Sequence, residues 1–444
     1  MTISTTSSAQ TAPQSQYSTD ELRDVYAKVT RHIVPFLFIC YVFAYLDRVN
    51  IGFAALQMKQ DLNFSDAIYG LGAGMFFIGY FLFEVPSNLL LEKIGARKTL
   101  MRIMVVWGLI SASFTFIHTP IQFYVARFLL GAFEAGFFPG VVLYLTFWYP
   151  SAMRGKIIAL FMSAIAVAGI IGGPLSGWIM THMAGVNGWA GWQWMFMIEA
   201  VPSIVLGVLT LFALSDHPNQ AKWLSPREMQ IVSEGVAASA ADAEHSFGKA
   251  LRDPKLYVLA FVYFTIAAGV YVISFWLPTM IRNYGVSDPL QIGILTAIPY
   301  IVGAIGMVTI SKRSDRMQER RWHTGTCMAL GGAGLIAATL VPNNLPLALC
   351  ALTVATTCIL TTMPVFWTIP TAYLSGSAAA GGIALINSIG LIGGFVSPSV
   401  MGWLKTTTGS LTYGLYIFAG VLVFGAFVLL RGFPERLIAS VNRR

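Results

Sequence analysis

Apolar residues fill long uninterrupted stretches of this chain, and short polar segments separate them. Twelve of these stretches have about the 20 residues that an α-helix needs to cross the hydrocarbon core of a bilayer. The pattern therefore predicts membrane helices over His32–Leu56, Ala67–Leu91, Thr99–Ile117, Gln122–Trp148, Gly155–Thr181, Trp192–Leu214, Lys255–Ile281, Leu290–Ser311, Trp322–Leu340, Leu345–Thr371, Ala378–Thr406 and Leu411–Gly432.

A polar segment from Ser215 to Asp253 follows the sixth predicted helix and is typical of a linker between two halves. The sequence thus predicts an all-α membrane protein made of two six-helix bundles. Its predicted parts are a disordered cytoplasmic tail (residues 1–31), a first bundle (32–214), a cytoplasmic linker with a short surface helix (215–254), a second bundle (255–432) and a second cytoplasmic tail (433–444). The first residues are rich in Ser, Thr and Gln and lack the apolar core of a cleaved signal peptide.

Charge is scarce and unevenly placed. Of 444 residues only 11% are charged, against about a quarter in soluble proteins. Of the 28 Lys and Arg residues, Lys59, Arg282 and Lys405 lie in loops on one side, Arg48 and Arg127 lie inside helices, and all the others lie in the tails and the even-numbered loops. The positive-inside rule predicts that both termini are cytoplasmic. The basic residues are therefore topology signals, and we expect no nucleic-acid partner.

Six charged residues fall inside the predicted helices, and all six are in the first half: Asp47, Arg48, Glu84, Arg127, Glu134 and Glu199. A charge in the middle of a membrane helix costs about 2.5 to 3.5 kcal/mol on insertion scales, so such residues are usually functional or paired. We therefore expect the proton and charge chemistry in the first bundle.

The spacing of these charges predicts which of them act together. Arg127 and Glu134 are seven residues apart, so they lie on one face of a helix, roughly 10 Å from each other along the axis. Arg48 shares a face with Tyr45, whereas Asp47 points about 100° away, towards a neighbouring helix. Arginine grips a carboxylate with two parallel hydrogen bonds, and a buried carboxyl can exchange a proton. Two alternatives remain open: a substrate and proton site, or structural ion pairs, above all for Arg127.

Several motifs resemble one transporter family. They are Tyr45-Leu-Asp-Arg-Val-Asn50, Tyr80 six residues before Pro86, Arg127-Phe-Leu-Leu-Gly-Ala-Phe-Glu134, and two similar basic loops, Asn88–Lys98 and Ser311–Arg321. Together they are similar to the anion:cation symporter family of the major facilitator superfamily, and within it to the tartrate and phthalate permeases. The resemblance implies proton-driven uptake of a small organic anion by alternating access. We expect a functional monomer in a bacterial inner membrane.

From the charges and the resemblance together, Asp47 and Glu134 are the predicted proton-coupling residues. The predicted substrate-binding residues are Arg48, Tyr80, Arg127, Asn387, Tyr45, Tyr271 and Trp367. A cytoplasmic gate between the bundles is predicted from Glu92, Arg97, Asp315, Arg316 and Arg320. We interpret Glu84 and Glu199 as structural partners of loop or backbone groups and leave them outside the site.

We find no phosphate-binding loop, metal-ligand cluster or nucleophile–base pair with workable spacing, so the sequence predicts neither an enzyme nor a cofactor other than the coupling proton. The expected substrate is a dicarboxylate or hydroxy acid such as tartrate, or an aromatic carboxylate. Two other transporters remain possible: a proton-antiport exporter of drugs or metabolites, and a proton-independent anion exchanger.

Overall fold

The computed structural model describes residues 17–241, 252–373 and 376–433. Within these ranges the chain forms twelve membrane-crossing units, called span 1 to span 12, and no strand. The first six are Thr19–Val49 with Ile51–Asp61, Asp66–Ile94, Ala96–Ser113, Pro120–Glu134 with Phe137–Thr146, Ser151–Met162 with Ala164–His182, and Gly191–Ala213. The last six are Pro254–Arg282, Pro289–Met317, Arg321–Thr339, Leu345–Tyr373, Gly376–Thr408 and Thr412–Gly432.

Eleven of these units within the described residues are long and apolar enough to cross a membrane. Span 9 is less apolar, because it begins with Arg321 and contains a run of small residues. Those small residues let it approach its neighbours: a Cβ on Gly334 would lie 2.8 Å from the backbone nitrogen of Ala355 in span 10. Such close packing is how membrane helices associate in lipid. The prediction of twelve spanning helices is confirmed.

Helix contacts repeat between the two halves. Span 2 packs against span 4 and span 3 against span 6, and the same pairs recur six spans later, as span 8 with span 10 and span 9 with span 12. Between the halves, span 2 packs against span 11 and span 5 against span 8. The fold is therefore two similar six-helix bundles that meet mainly along these two pairs of helices, with a further contact between span 1 and span 7.

The first helix begins earlier than the sequence suggested. It starts at Thr19, where Ser18 caps it by accepting a hydrogen bond from the backbone N–H of Glu21. Residues 19–31 are thus helical, which corrects the predicted tail boundary at residue 31; residues 1–16 lie outside the described residues, as do 434–444. This part of the helix can contain polar residues because it projects from the membrane and packs on the linker.

The linker contains a surface helix, Pro226–Ala241, as expected from the sequence. Lys28 of span 1 forms an ion pair with Glu228 at 2.8 Å, and the ring of His32 stacks on Trp223 at 4.3 Å. These contacts bind the linker helix and the segment just before it to the beginning of span 1. We call the membrane face that carries this helix the linker side and the opposite face the far side.

The bundles are locked together on the far side. The two backbones touch where span 5 crosses span 8, since a Cβ on Gly293 would lie 2.1 Å from the carbonyl oxygen of Gly173. Asp66 of span 2 pairs with Lys405 of span 11 at 3.3 Å and with Lys59 of its own bundle. In the described part of the chain, no hydrogen bond or ion pair joins the linker-side ends of the two bundles. The protein is therefore closed at the far side.

Candidate functional site

Two breaks in the helices of the first bundle lie next to its central charges. Span 1 changes helix at Asn50, two residues after Arg48, and the first helix of span 4 ends at Glu134. Span 4 approaches span 2 closely just before its break, because a Cβ on Gly131 would lie 1.8 Å from the carbonyl oxygen of Phe76. Glycine at this position lets the carboxyl of Glu134 reach the interior of the bundle.

Arg48 and Glu134 form a buried ion pair at the centre of the protein. The Nε atom of Arg48 donates to Oε1 of Glu134 at 3.1 Å, and its Nη2 donates to the same oxygen. Arg48 is 7% exposed and Glu134 is completely buried. The other carboxyl oxygen, Oε2, has no hydrogen-bond partner among the described residues. The pair thus leaves one acceptor of the carboxyl unused.

The second bundle contacts this pair through neutral groups. The Nη1 atom of Arg48 donates to the hydroxyl of Tyr271 on span 7 at 3.3 Å. One turn earlier on span 1, the hydroxyl of Tyr45 lies 3.2 Å from that of Ser274, also on span 7. Sequence reasoning had not selected Ser274, because a serine in an apolar helix carries no distinctive signal.

Aromatic rings surround the guanidinium of Arg48. Its Cζ atom lies 5.2 Å from the ring centre of Phe76, 5.4 Å from that of Tyr80 and 5.9 Å from that of Tyr45. Rings at this distance attract a cation through their negative faces. Tyr80 therefore reaches the predicted site and contributes its ring face there.

Asp47 lies apart from the ion pair, as its helical position predicted. Its carboxyl accepts hydrogen bonds from Trp107 Nε1 at 2.9 Å, Ser111 at 3.3 Å and Ser203 at 2.6 Å. All three donors are neutral and belong to spans 3 and 6. Asp47 is therefore a buried carboxyl held by neutral donors, with no cation bonded to it in the described structure.

Arg127 is completely buried and, like Arg48, lies beside the ring of Phe76. Its side chain donates to the backbone carbonyls of Gly72 at 3.4 Å and Ala73 at 3.2 Å, and its Cζ lies 5.1 Å from the ring of Phe76. Arg127, which helical spacing had placed on the same face as Glu134, thus donates to backbone carbonyls of span 2. The contacts are those of a residue that joins span 4 to span 2.

Two carboxyls that we had left outside the site bond to side chains inside the membrane. Glu199 accepts hydrogen bonds from Asn50 at 3.0 Å and Ser176 at 2.6 Å. Glu84 accepts one from Asn387 of span 11 at 3.2 Å. The interpretation of both as partners of loop or backbone groups is therefore wrong. Glu84 follows Tyr80 by four residues and so lies on the same helix face. This spacing could have identified Glu84 from the sequence.

Two predicted residues lie in the second bundle beyond the ion pair. Asn387 contacts Glu84, as above, and Trp367 of span 10 packs edge-on against the ring of Tyr263 of span 7 at 4.7 Å. Tyr263 is a further aromatic residue that sequence reasoning missed, since aromatic residues are common throughout membrane helices.

The predicted gate residues pair within their own bundles. Arg97 bonds to the carbonyl oxygen of Leu211 in span 6 and to Asp216 at the start of the linker, and Arg320 bonds to Asp315 in the second bundle. Arg316 lies on the exposed linker-side end of span 8, and the side chain of Glu92 lies outside the described residues. A gate of these residues would form in a conformation closed at the linker side, so it stays a prediction.

Comparisons with known proteins agree with this architecture. A sequence model of the Major Facilitator Superfamily matches residues 37–398. The xylose transporter XylE of E. coli, solved in a partially occluded inward-open conformation, superimposes with a TM-score of 0.75 at 13% identity, covering 92% of this chain and 98% of that one. This likeness concerns the fold.

Three relatives cover nearly the whole chain. The putative metabolite transport protein NicT of Pseudomonas putida is 47% identical, covering 93% of this chain and 95% of that protein. A putative tartrate transporter of Agrobacterium vitis is 48% identical, with 95% and 98% covered. A quinolone resistance transporter of Acinetobacter baumannii is 42% identical, with 91% and 93% covered.

Proposed function

This chain belongs to the major facilitator superfamily and is a membrane transporter rather than an enzyme, and on that premise we propose that it imports a small organic anion by proton symport. The observation that carries the proposal is the buried pair of Arg48 and Glu134. A transporter of anions needs a fixed cation that the substrate can reach, and a proton carrier whose charge state controls that cation.

The pair supplies both functions. While Glu134 is charged it neutralises Arg48, and the guanidinium is not available to another anion. When a proton binds at the unpartnered Oε2 of Glu134, Arg48 loses its counter-ion. A buried cation without a counter-ion is costly, so a substrate carboxylate takes the place of Glu134. Proton and anion therefore bind together, which is the requirement for symport.

Tyr271 connects this event to the movement of the bundles. It is the residue of the second bundle that bonds directly to Arg48. A substrate carboxylate held by Arg48 lies at the same interface, so its binding changes the contacts that join the halves. In the proposed cycle the two bundles rock around this site, and each side opens in turn by alternating access.

Asp47 is the proposed second proton carrier. It follows the substrate cation directly in the chain, and its three neutral donors hold a carboxylate inside the membrane without neutralising it. Removing its charge by protonation reduces the cost of burial. This site is separate from the substrate, so it affects the coupling and not the recognition of the anion.

Which face of the membrane is cytoplasmic follows from the charge distribution of the loops. Since most Lys and Arg residues lie on the linker side, we assign that side to the cytoplasm. The bacterial origin of the relatives supports a bacterial inner membrane. A protein closed at the far side is then facing inwards. We further propose that it functions as a monomer, because the site is complete within one chain.

The proposal is tested with purified protein in proteoliposomes and a panel of labelled carboxylates that includes tartrate, phthalate and benzoate. At least one anion is expected to accumulate above equilibrium when the outside is acidic and to equilibrate without a gradient. If no anion accumulates under any gradient, the importer is refuted. If an anion accumulates equally with and without a proton gradient, an anion exchanger is the remaining explanation.

A second function is favoured by one finding, the 42% identity to a quinolone resistance transporter. A proton-antiport exporter would remove a quinolone from the vesicle interior in exchange for protons. The same preparation loaded with norfloxacin distinguishes the two: efflux driven by an inward proton gradient, together with no uptake of carboxylates, would favour the exporter.

A further inference from the structure

Glu84 is a half-buried carboxyl at the interface of the bundles that the proposed symport cycle does not use. It lies on span 2, and Asn387 of span 11 donates to its Oε1 at 3.2 Å. Of the hydrogen bonds between bundles in the described residues, this one lies nearest the linker side. Inside a membrane a carboxyl in such a position is a functional candidate in its own right.

Its position relative to Arg48 is set by Tyr80. Tyr80 and Glu84 are four residues apart on one helix, so they lie on the same face with roughly 6 Å between them along the axis. The guanidinium of Arg48 lies 5.4 Å from the ring centre of Tyr80. Arg48 therefore lies over the face of the Tyr80 ring, and Glu84 lies about one helical turn further along the same face of span 2, towards the linker side.

Aromatic rings from the second bundle lie beside Arg48 and beside Asn387. Tyr271, which bonds to Arg48, packs against Phe77 with ring centres 4.4 Å apart. Close to Asn387, a Cβ on Gly390 would lie 2.2 Å from a ring carbon of Tyr263, so that ring lies directly on span 11 one turn away. Aromatic rings therefore lie next to the polar groups both at Arg48 and at Asn387.

These observations define the shape of a ligand. A matching ligand would place its carboxylate on Arg48, a planar ring beside Tyr80 and Tyr271, and the group at its other end against Glu84 and Asn387. Carboxylate oxygens accept hydrogen bonds, so that end favours a hydroxyl or an N–H group. A second carboxylate there would face a like charge, which disfavours binding.

We propose that Glu84, oriented by Asn387, is a specificity-determining residue that selects aromatic monocarboxylates with a hydrogen-bond donor opposite the carboxylate, and rejects dicarboxylates. The inference rests on the proposed function, since it assumes that Arg48 binds the substrate carboxylate. It replaces the broad expectation of a dicarboxylate or hydroxy acid by one class.

Three probes that differ at one ring position test this selection: benzoate, 4-hydroxybenzoate and terephthalate. Their affinities are measured by calorimetry on the purified protein at neutral pH. The wild type is expected to bind 4-hydroxybenzoate at least about tenfold more tightly than terephthalate, with benzoate between them. Glu84→Lys is expected to invert the order, because a cation then faces the second carboxylate, and Glu84→Gln is expected to reduce the difference.

A matched control is Glu228→Gln, which removes a carboxyl outside the membrane and should leave the order unchanged. If Glu84→Lys does not fold, the wild-type order and Glu84→Gln still decide the question. Equal ratios in the wild type and Glu84→Gln, or a wild-type preference for terephthalate, would overturn the role of Glu84 while leaving the anion transporter in place. Binding of none of the three, when other carboxylates are transported, would refute the aromatic class. Failure of every carboxylate to bind would instead refute the proposed function itself.

Discussion

The two bundles repeat the same helix contacts but differ in their buried polar groups. The first contains the buried charges Asp47, Arg48, Arg127, Glu134 and Glu199. In the described part of the second bundle, the buried polar residues are all neutral Ser and Thr side chains and tyrosine hydroxyls. The second bundle therefore meets the charges of the first with groups such as Tyr271 and Ser274. The two bundles therefore share their packing, while the buried charges are concentrated in the first.

The largest expected effect distinguishes two arginines within the first bundle. Arg48→Lys should weaken anion binding by about 100-fold, equivalent to roughly 2.7 kcal/mol, because lysine cannot make two parallel hydrogen bonds to a carboxylate. Arg127→Lys should mainly lower the unfolding temperature, because its partners are backbone carbonyls of span 2. Calorimetric binding and thermal unfolding of both variants provide the test. Similar losses of affinity in the two would contradict the assignment.

The next effect concerns the lock between the bundles. Asp66→Asn removes the carboxylate that holds Lys405 of the second bundle, and we expect the far side to open about five times more often, or roughly 1 kcal/mol. Hydrogen exchange at the far-side ends of spans 2 and 11 should become faster. Asp61→Asn is the control, because Asp61 bonds to Trp192 within its own bundle. Equal acceleration in both variants would mean that Asp66 has no special role in closure.

A smaller effect is expected for the neutral contact from the second bundle. Tyr271→Phe removes the hydroxyl that accepts a hydrogen bond from Arg48, and a bond of this kind contributes about 1 kcal/mol. We expect a three- to fivefold loss of affinity for the transported anion, with proton coupling intact. A loss as large as that of Arg48→Lys would mean that the second bundle shares the charge chemistry.

The smallest effect lies outside the membrane. A hydrogen bond from Lys28 lowers the pKa of Glu228 below its ordinary value. Because the folded-state pKa is depressed, this contact stabilises the docked linker helix at neutral pH and is lost as the pH falls below about 4.3 towards that pKa. The side chains are 38% and 22% exposed, so the gain is under about 1 kcal/mol. Fluorescence of Trp223 against pH, with Glu228→Gln for comparison, should show loosening at acidic pH in the wild type alone.

The spans were predictable because the length of an apolar run and the cost of a buried backbone leave few alternatives. The position of Asp47 and Arg48 on different faces of span 1 followed from helix geometry, and the structure places them so. The partner of Arg127 could not be derived in this way. Helical spacing put it on the face of Glu134, but its partners are carbonyls of span 2, and only the packing of two helices brings these together.

The contact between Glu84 and Asn387 illustrates the same limit. The two residues are 303 positions apart, and no periodicity in either helix relates them. The far-side lock was missed for a related reason: the many basic residues of the linker-side loops drew attention to that side, whereas Asp66 and Lys405 are single charges at two separate helix ends that no local pattern relates. Local patterns identify which residues are costly, and tertiary packing decides which of them meet.

Gradient-driven accumulation and exchange, measured side by side for Glu134→Gln in proteoliposomes, test the central claim most directly. Glutamine cannot carry the coupling proton and leaves Arg48 available to the anion. The account predicts that the variant exchanges labelled for unlabelled anion yet no longer accumulates it against a gradient. Glu199→Gln, which alters a buried carboxyl bonded to Asn50 and Ser176, should still accumulate. Normal accumulation by Glu134→Gln would contradict the claim that this residue couples proton to anion.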